Sequence, residues 1–195
     1  MRIIISPAKK MVVDTDSFAV DGLPISLEKT ERLKTALHGM SPAELRTLWK
    51  CNDAIARLNI ERLSAMELRR RLTPAILSYE GIQYQYMAPR VMETAQLDYL
   101  REHLRILSGF YGLLRPFDGV TPLPAGNAGQ AAGGRLPGSV RILGGALAQP
   151  LAAETDFVLN LASKEYSRAV EPPSAQVHPL PHLRLRIDNH VLPLV

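Results

Sequence analysis

With 195 residues and 46% hydrophobic content, the chain is long enough for one domain with a substantial core and too short for several. Charged residues make up 22%, and 23 Lys+Arg against 19 Asp+Glu leave a formal net charge of +4, a balance that excludes wholesale disorder and permits, without demanding, a polyanionic partner. The single cysteine, Cys51, excludes an intramolecular disulfide and any multi-cysteine zinc or iron–sulfur centre within one chain. The short apolar run Ile3 to Ile5, halted by Pro7, is neither a signal peptide nor a membrane span, and the expectation is a cytoplasmic protein.

In chain order, Arg2 to Ser6 reads as a buried strand, because β-branched residues run up to a proline and two lysines. Asp14 to Pro24 has no periodicity. Leu27, Leu33 and Leu37 predict a helix ending at Gly39. Ser41-Pro42-Ala43-Glu44 then supplies an N-cap, a first-turn proline and a capping-box carboxylate for a helix carrying Leu45, Leu48 and Trp49. The next helix is predicted from Asn52 to Arg71, with Ile55, Leu58, Leu63 and Met66 as its apolar side and Arg57, Arg62 and Arg69 to Arg71 elsewhere. Thr73-Pro74 reads as another cap and first-turn pair, and the alternation from Tyr79 to Tyr86 suits strand or loop. A helix from Glu93 to His103 leads into a second strand, Leu104 to Ser108, and Phe157 to Ser163 supplies a third. Strands separated by helical blocks give an α/β class with a small central sheet. Leu123 to Gly145, rich in Gly, Ala and Pro, is expected to be irregular.

Few motifs carry chemistry on their own. Ser6 and Lys9 have S-x-x-K spacing, but Pro7 denies them the shared helix face that proton transfer between them requires. The glycines from 126 to 145 lack the G-K-[ST] of a phosphate loop, and prolines 179 and 181 keep His178 and His182 off one helix face, so no metal and no cofactor site is expected. The helix pair between Ser41 and Arg71 either presents amides and cations to phosphates or is a pair of solvated helices. Gly109 and Gly112, followed by Arg115, either resemble the hairpin of helix-hairpin-helix modules or mark a glycine turn after a strand.

Four strings taken together are more specific: I-S-P-A-K-K at 5–10, L-W-K-C-N-D at 48–53, L-R-I-L-S-G-F-Y-G-L-L-R-P-F-D at 104–118 and N-L-A-S-K-E-Y at 160–166. They resemble the YaaA (UPF0246-type) family of peroxide stress proteins, almost continuously over 1–122 and again over 147–170. The resemblance implies a single cytosolic α/β domain over 1–195, without turnover, that binds DNA and limits iron-linked oxidative damage. Two family strings, P-Y-R-L-E-M and L-Y-x-F-W-G, are missing. The codons open to Leu123 to Ala128 and to Ser139 to Gly145 permit Y-R-L-E-M and L-Y-E-F-W-G when read a single base later, which points to a compensated frameshift across 123–145. The tail from Glu171 to Val195 diverges and lacks the family's basic K-x-A-R-G region. On this reading Lys9, Lys10, Lys50, Arg57, Arg105 and Arg115 contact the phosphates of duplex or distorted DNA. Ser6, Asn160, Ser163 and Glu165 sit at strand ends, where a cleft forms in α/β folds. The competing readings are an enzyme acting on a nucleotide or phosphate ester there, with Lys9, Glu165 and Tyr166 as acid–base groups, and an inactive copy of the family protein.

Overall fold

Three consecutive isoleucines leave a strand no polar face to turn to water, and β1 (Arg2–Ile5) accordingly lies inside a sheet with a neighbour on each side. In the computed structural model, which describes residues 1–49, 51–123, 141–167, 170 and 182–183, β1 runs parallel to β5 (Leu104–Ser108), with Ile3 opposite Leu104 and Ile5 opposite Ile106. On its other side it runs parallel to β8 (Val158–Asn160), with Ile4 opposite Asn160. β6 (Gly112–Leu114) turns back antiparallel on β5, and β9 (His182–Leu183) adds a parallel edge beyond β8. The sheet order is therefore β6-β5-β1-β8-β9. The three expected strands stand, and the chain is α/β.

Alternation along these strands divides the interior in two. Ile3 and Ile5, with Leu104, Ile106 and Leu114, face the larger core. Ile4, Leu107, Leu113 and Val158 face the smaller one, beneath Leu147 and Leu151. The larger core is roofed by α1 (Leu27–His38), α2 (Pro42–Trp49) and α3 (Asp53–Ala65), and the segment up to α6 (Thr94–His103) completes it. The smaller core is covered by α7 (Arg141–Glu154). The caps follow local chemistry. Ser41 N–H donates to Glu44 Oε2 at 2.8 Å while Glu44 N–H donates to Ser41 Oγ at 3.3 Å, Asn52 Oδ1 accepts from Ile55 N–H at 2.9 Å, and Glu93 forms a capping box with Gln96.

Several expectations need correction. The helix predicted to Arg71 stops at Ala65, because Met66 turns extended, buries its side chain and gives its carbonyl to Lys34 Nζ at 2.5 Å. The buried face of α3 is Ala56, Asn59 and Leu63, whereas Ile55 and Leu58 are exposed. Thr73-Pro74 is not a helix start but β3 (Thr73–Pro74), paired antiparallel with β7 (Gly119–Val120), and the single turn α4 (Ala75–Ser78) follows it. The aromatic segment is mostly helical: β4 (Tyr79–Glu80) pairs with β2 (Lys10–Met11), and then α5 (Ile82–Met87) puts Tyr84 inside and leaves Ile82 and Tyr86 in solvent. Residues 141–145, expected to be irregular, belong to α7, while 124–140 lie outside the described residues. Most of the tail lies outside them too, but His182–Leu183 is paired in the sheet.

Candidate functional site

The chain leaves β1 toward β5 on one side and later returns to β8 on the other, so the loops after β1 and β8 part in opposite directions. Such a switch point opens a crevice at the carboxyl ends of parallel strands. Ser6 and Ser163 meet there: Ser163 N–H donates to Ser6 Oγ at 2.8 Å, and Ser6 Oγ donates to Ser163 Oγ at 3.2 Å. Asn160 shapes the β8 loop through Oδ1, which accepts from Ala162 N–H at 3.0 Å. Three of the four expected cleft residues therefore line this strand-end region. Glu165 is exposed on α8 (Lys164–Ser167) just beyond it.

Sequence reasoning missed the tyrosines behind the crevice. Tyr84 OH donates to the Ser6 carbonyl at 2.8 Å. Tyr79 OH donates at 3.1 Å to Ser108 Oγ, which also accepts from the Phe110 and Tyr111 amides. The alternation of Tyr79, Tyr84 and Tyr86 was the available signal, but it did not tell inside from outside. Burial pushes the Tyr79 and Tyr84 phenols well up, and burial followed by the Glu165 charge pushes Tyr166 up to about 12. Between Ala8, Lys9, Met11, Tyr79 and Ser108, the described residues leave about 10 Å³, room for one water at most.

The expected phosphate-contacting cations fall in different places. Lys9 is exposed, and Lys10 is exposed and paired with Glu80 across β2 and β4. Arg57 is exposed on α3, and Lys50 lies outside the described residues. Gly109 and Gly112 belong to a β-hairpin between β5 and β6, not to a helix-hairpin-helix, and the Phe110 and Tyr111 amides are occupied by Ser108. Arg105 does not reach a phosphate backbone. Its side chain is 4% exposed, with Nε and Nη2 on Glu154 Oε2 at 2.7 and 2.5 Å and Nη1 on the Leu104 carbonyl at 2.6 Å. Arg2 Nε joins the same carboxylate at 2.9 Å. Burial opposes the Glu154 charge, but the hydrogen bonds and charges of Arg105 and Arg2 outweigh it and hold the carboxyl below its usual range.

Arg105 and Glu154 form one wall of a second cavity, of about 150 Å³ among the described residues, together with Arg115, Asp118, Leu23, Ile25 and Leu113. Asp118 Oδ2 accepts from Arg115 N–H at 2.8 Å. Burial nevertheless pushes its carboxyl up to about 6, with Arg115 and Arg105 opposing and Asp21 adding to the rise. The folded chain therefore holds this proton more tightly than the unfolded chain, whose carboxyl titrates near 3.8. Stability from Asp118 is full below about pH 4 and falls away up to about pH 6, a change of about 3 kcal/mol. Asp118→Asn, which keeps an acceptor for Arg115 N–H, is expected to raise stability at neutral pH and to flatten this dependence. Urea melts across that range check it, and an unchanged slope in the variant overturns it.

Comparison with known proteins gives a concordant result. The family described as peroxide stress protein YaaA matches residues 1–186. The chain belongs to the YaaA family. The match continues through 123–145 and into the tail, further than the motif strings carried the resemblance. A UPF0246 protein of Lachnoclostridium phytofermentans is 50% identical over 171 residues, covering 88% of this chain and 67% of that protein. A UPF0246 protein of Pediococcus pentosaceus is 49% identical over 172 residues, covering 88% and 68%, and one of Lactiplantibacillus plantarum is 45% identical over 172 residues, covering 88% and 69%. Among the described residues of this YaaA-family chain, no helix is long and apolar enough to cross a membrane.

Proposed function

We propose that this YaaA-family chain acts in peroxide stress by holding the phosphate backbone of duplex or distorted DNA, so limiting iron-linked oxidative damage to it. Lys9 after β1, Lys10 on β2, Arg57 on α3, the exposed Arg115 after β6, and Lys50 are the contacting cations. The observation that carries this reading is the exposure of the cations: Lys9 and Arg57 are exposed and make no ion pair among the described residues, and Lys10 is exposed with Glu80 as its partner. The helix pair α2 and α3 adds Arg57 beside a capped helix start.

Turnover by Lys9, Glu165 and Tyr166 is the weaker reading, since a phenol pushed up to about 12 is a poor base at neutral pH. A salt titration of duplex DNA binding tests the proposal. Each phosphate neutralised adds about 0.9 to the slope of log affinity against log salt, so Lys9→Ala with Lys10→Ala is expected to reduce the slope by about one to two. Affinity should fall alike on unrelated sequences. An unchanged slope overturns the assignment of these lysines.

A further inference from the structure

The second cavity is lined by both charged and aliphatic side chains. Its lining carries the guanidiniums of Arg105 and Arg115 and the carboxyls of Asp118 and Glu154. Arg2 and Arg105 share the Glu154 carboxylate. The lining cation left without an ion pair is Arg115. Arg105 is buried with its donors spent on Glu154 and on backbone carbonyls, whereas the Arg115 side chain is exposed and makes no ion pair among the described residues. The rest of the lining is apolar: Leu113 is buried, and Leu23 and Ile25 stand 41% and 66% exposed. Two large aliphatic side chains left in water beside a cavity are what a short apolar ligand would cover.

We propose that this cavity binds a small aliphatic carboxylate, with its carboxylate on the Arg115 guanidinium and its hydrocarbon tail against Leu23, Ile25 and Leu113. The volume suffices for it. At about 10–15 Å³ of such space for one water, 150 Å³ admits on the order of ten non-hydrogen atoms, enough for the six of butyrate. An inorganic oxyanion would satisfy Arg115 but leave the aliphatic side chains wet, and a neutral alcohol would cover them but leave Arg115 without a counter-charge. The groups facing Asp118 are Arg115, Arg105, Asp21 and, across the cavity, Glu154. A bound anion repels the ionised form of Asp118, so binding tightens as this group takes up its proton and weakens as pH rises.

The test is titration of the purified chain with butyrate, followed by backbone-amide NMR shifts, with sulfate and 1-butanol as separate arms at the same concentrations. Butyrate is expected to shift residues around 23–25, 113–118 and 154, and the other two compounds to shift them much less. Arg115→Gln removes a charge-assisted hydrogen bond from an exposed side chain and should weaken butyrate by about tenfold or more. Leu23→Ser leaves every charge in place and should weaken butyrate while leaving any sulfate response alone. Affinity should rise from pH 7.5 to pH 5.5 in the natural chain and stay level in Asp118→Asn. Equal response to sulfate and butyrate, or undiminished binding in Arg115→Gln, overturns the proposal. DNA affinity of Leu23→Ser is a separate reading, because that change removes none of the phosphate-contacting cations and neither Lys9 nor Lys10 lines this cavity.

Discussion

Glu154→Ala is expected to cost about 3–5 kcal/mol, because it leaves the Arg105 guanidinium buried without its counter-charge. Glu154 sits at the end of α7 and ties two strands to that helix, Arg2 of β1 and Arg105 of β5 both bonding Oε2. Removing the acid therefore loosens the smaller core as well as stranding a cation that is 4% exposed. Urea denaturation reads the loss directly. If the penalty arises from the unpaired charge, Arg105→Met in the same chain should recover a large part of it, because an apolar chain of similar length suits the site better than a lone guanidinium. A loss below about 1 kcal/mol in Glu154→Ala would place the pair with ordinary surface bridges, which contribute that little.

Trp49→Ala is expected to cost a further class of energy, that of an emptied core, at about 3–5 kcal/mol. Trp49 closes α2, is 2% exposed and belongs to the larger core with Leu45 and Leu63. It is also the only tryptophan, so unfolding of the variant is followed by far-ultraviolet circular dichroism instead of indole fluorescence. Trp49→Phe, which keeps an aromatic ring in the space, should lose clearly less than the alanine variant. Equal losses in the two would mean that the site collapses around any smaller side chain.

The sheet was legible in the sequence because its strands are mostly apolar: Ile4, Ile5, Leu104, Ile106 and Leu107 are buried and Ile3 is half-buried, and such runs point to a strand covered on both faces without knowledge of the partners. Helix starts with their own chemistry were legible as well, at Ser41, Asn52 and Glu93. Where an element's limits rest on tertiary contact, no local sign marks them. Met66 leaves the helix because Lys34, on a different helix, takes its carbonyl, and Thr73 adopts a strand because Val120 lies opposite. The crevice was placed from strand ends alone, which located Ser6, Asn160 and Ser163. Tyr79 and Tyr84 escaped because an alternating aromatic segment reads as strand until the turn at Gly81 is known. Arg105 misled for a related reason: its counter-charge is 49 residues away, beyond the reach of any spacing rule.

The place of β1 has a consequence for how the chain comes to be folded. It precedes both of its partners in the chain and is the central strand of the sheet, its neighbours being drawn from 104–108 on one side and 158–160 on the other. An emerging chain carries this exposed isoleucine segment until some hundred residues more have been made, and its second edge is satisfied only after the hairpin and α7 exist. Parallel pairing between segments so far apart in sequence closes large loops before it gains contacts, which slows folding and lengthens exposure to other chains. The arginine at the start of β1 and the Pro7, Lys9 and Lys10 that follow it then act as guards on a sticky strand during that wait, a service separate from anything they do in the finished protein.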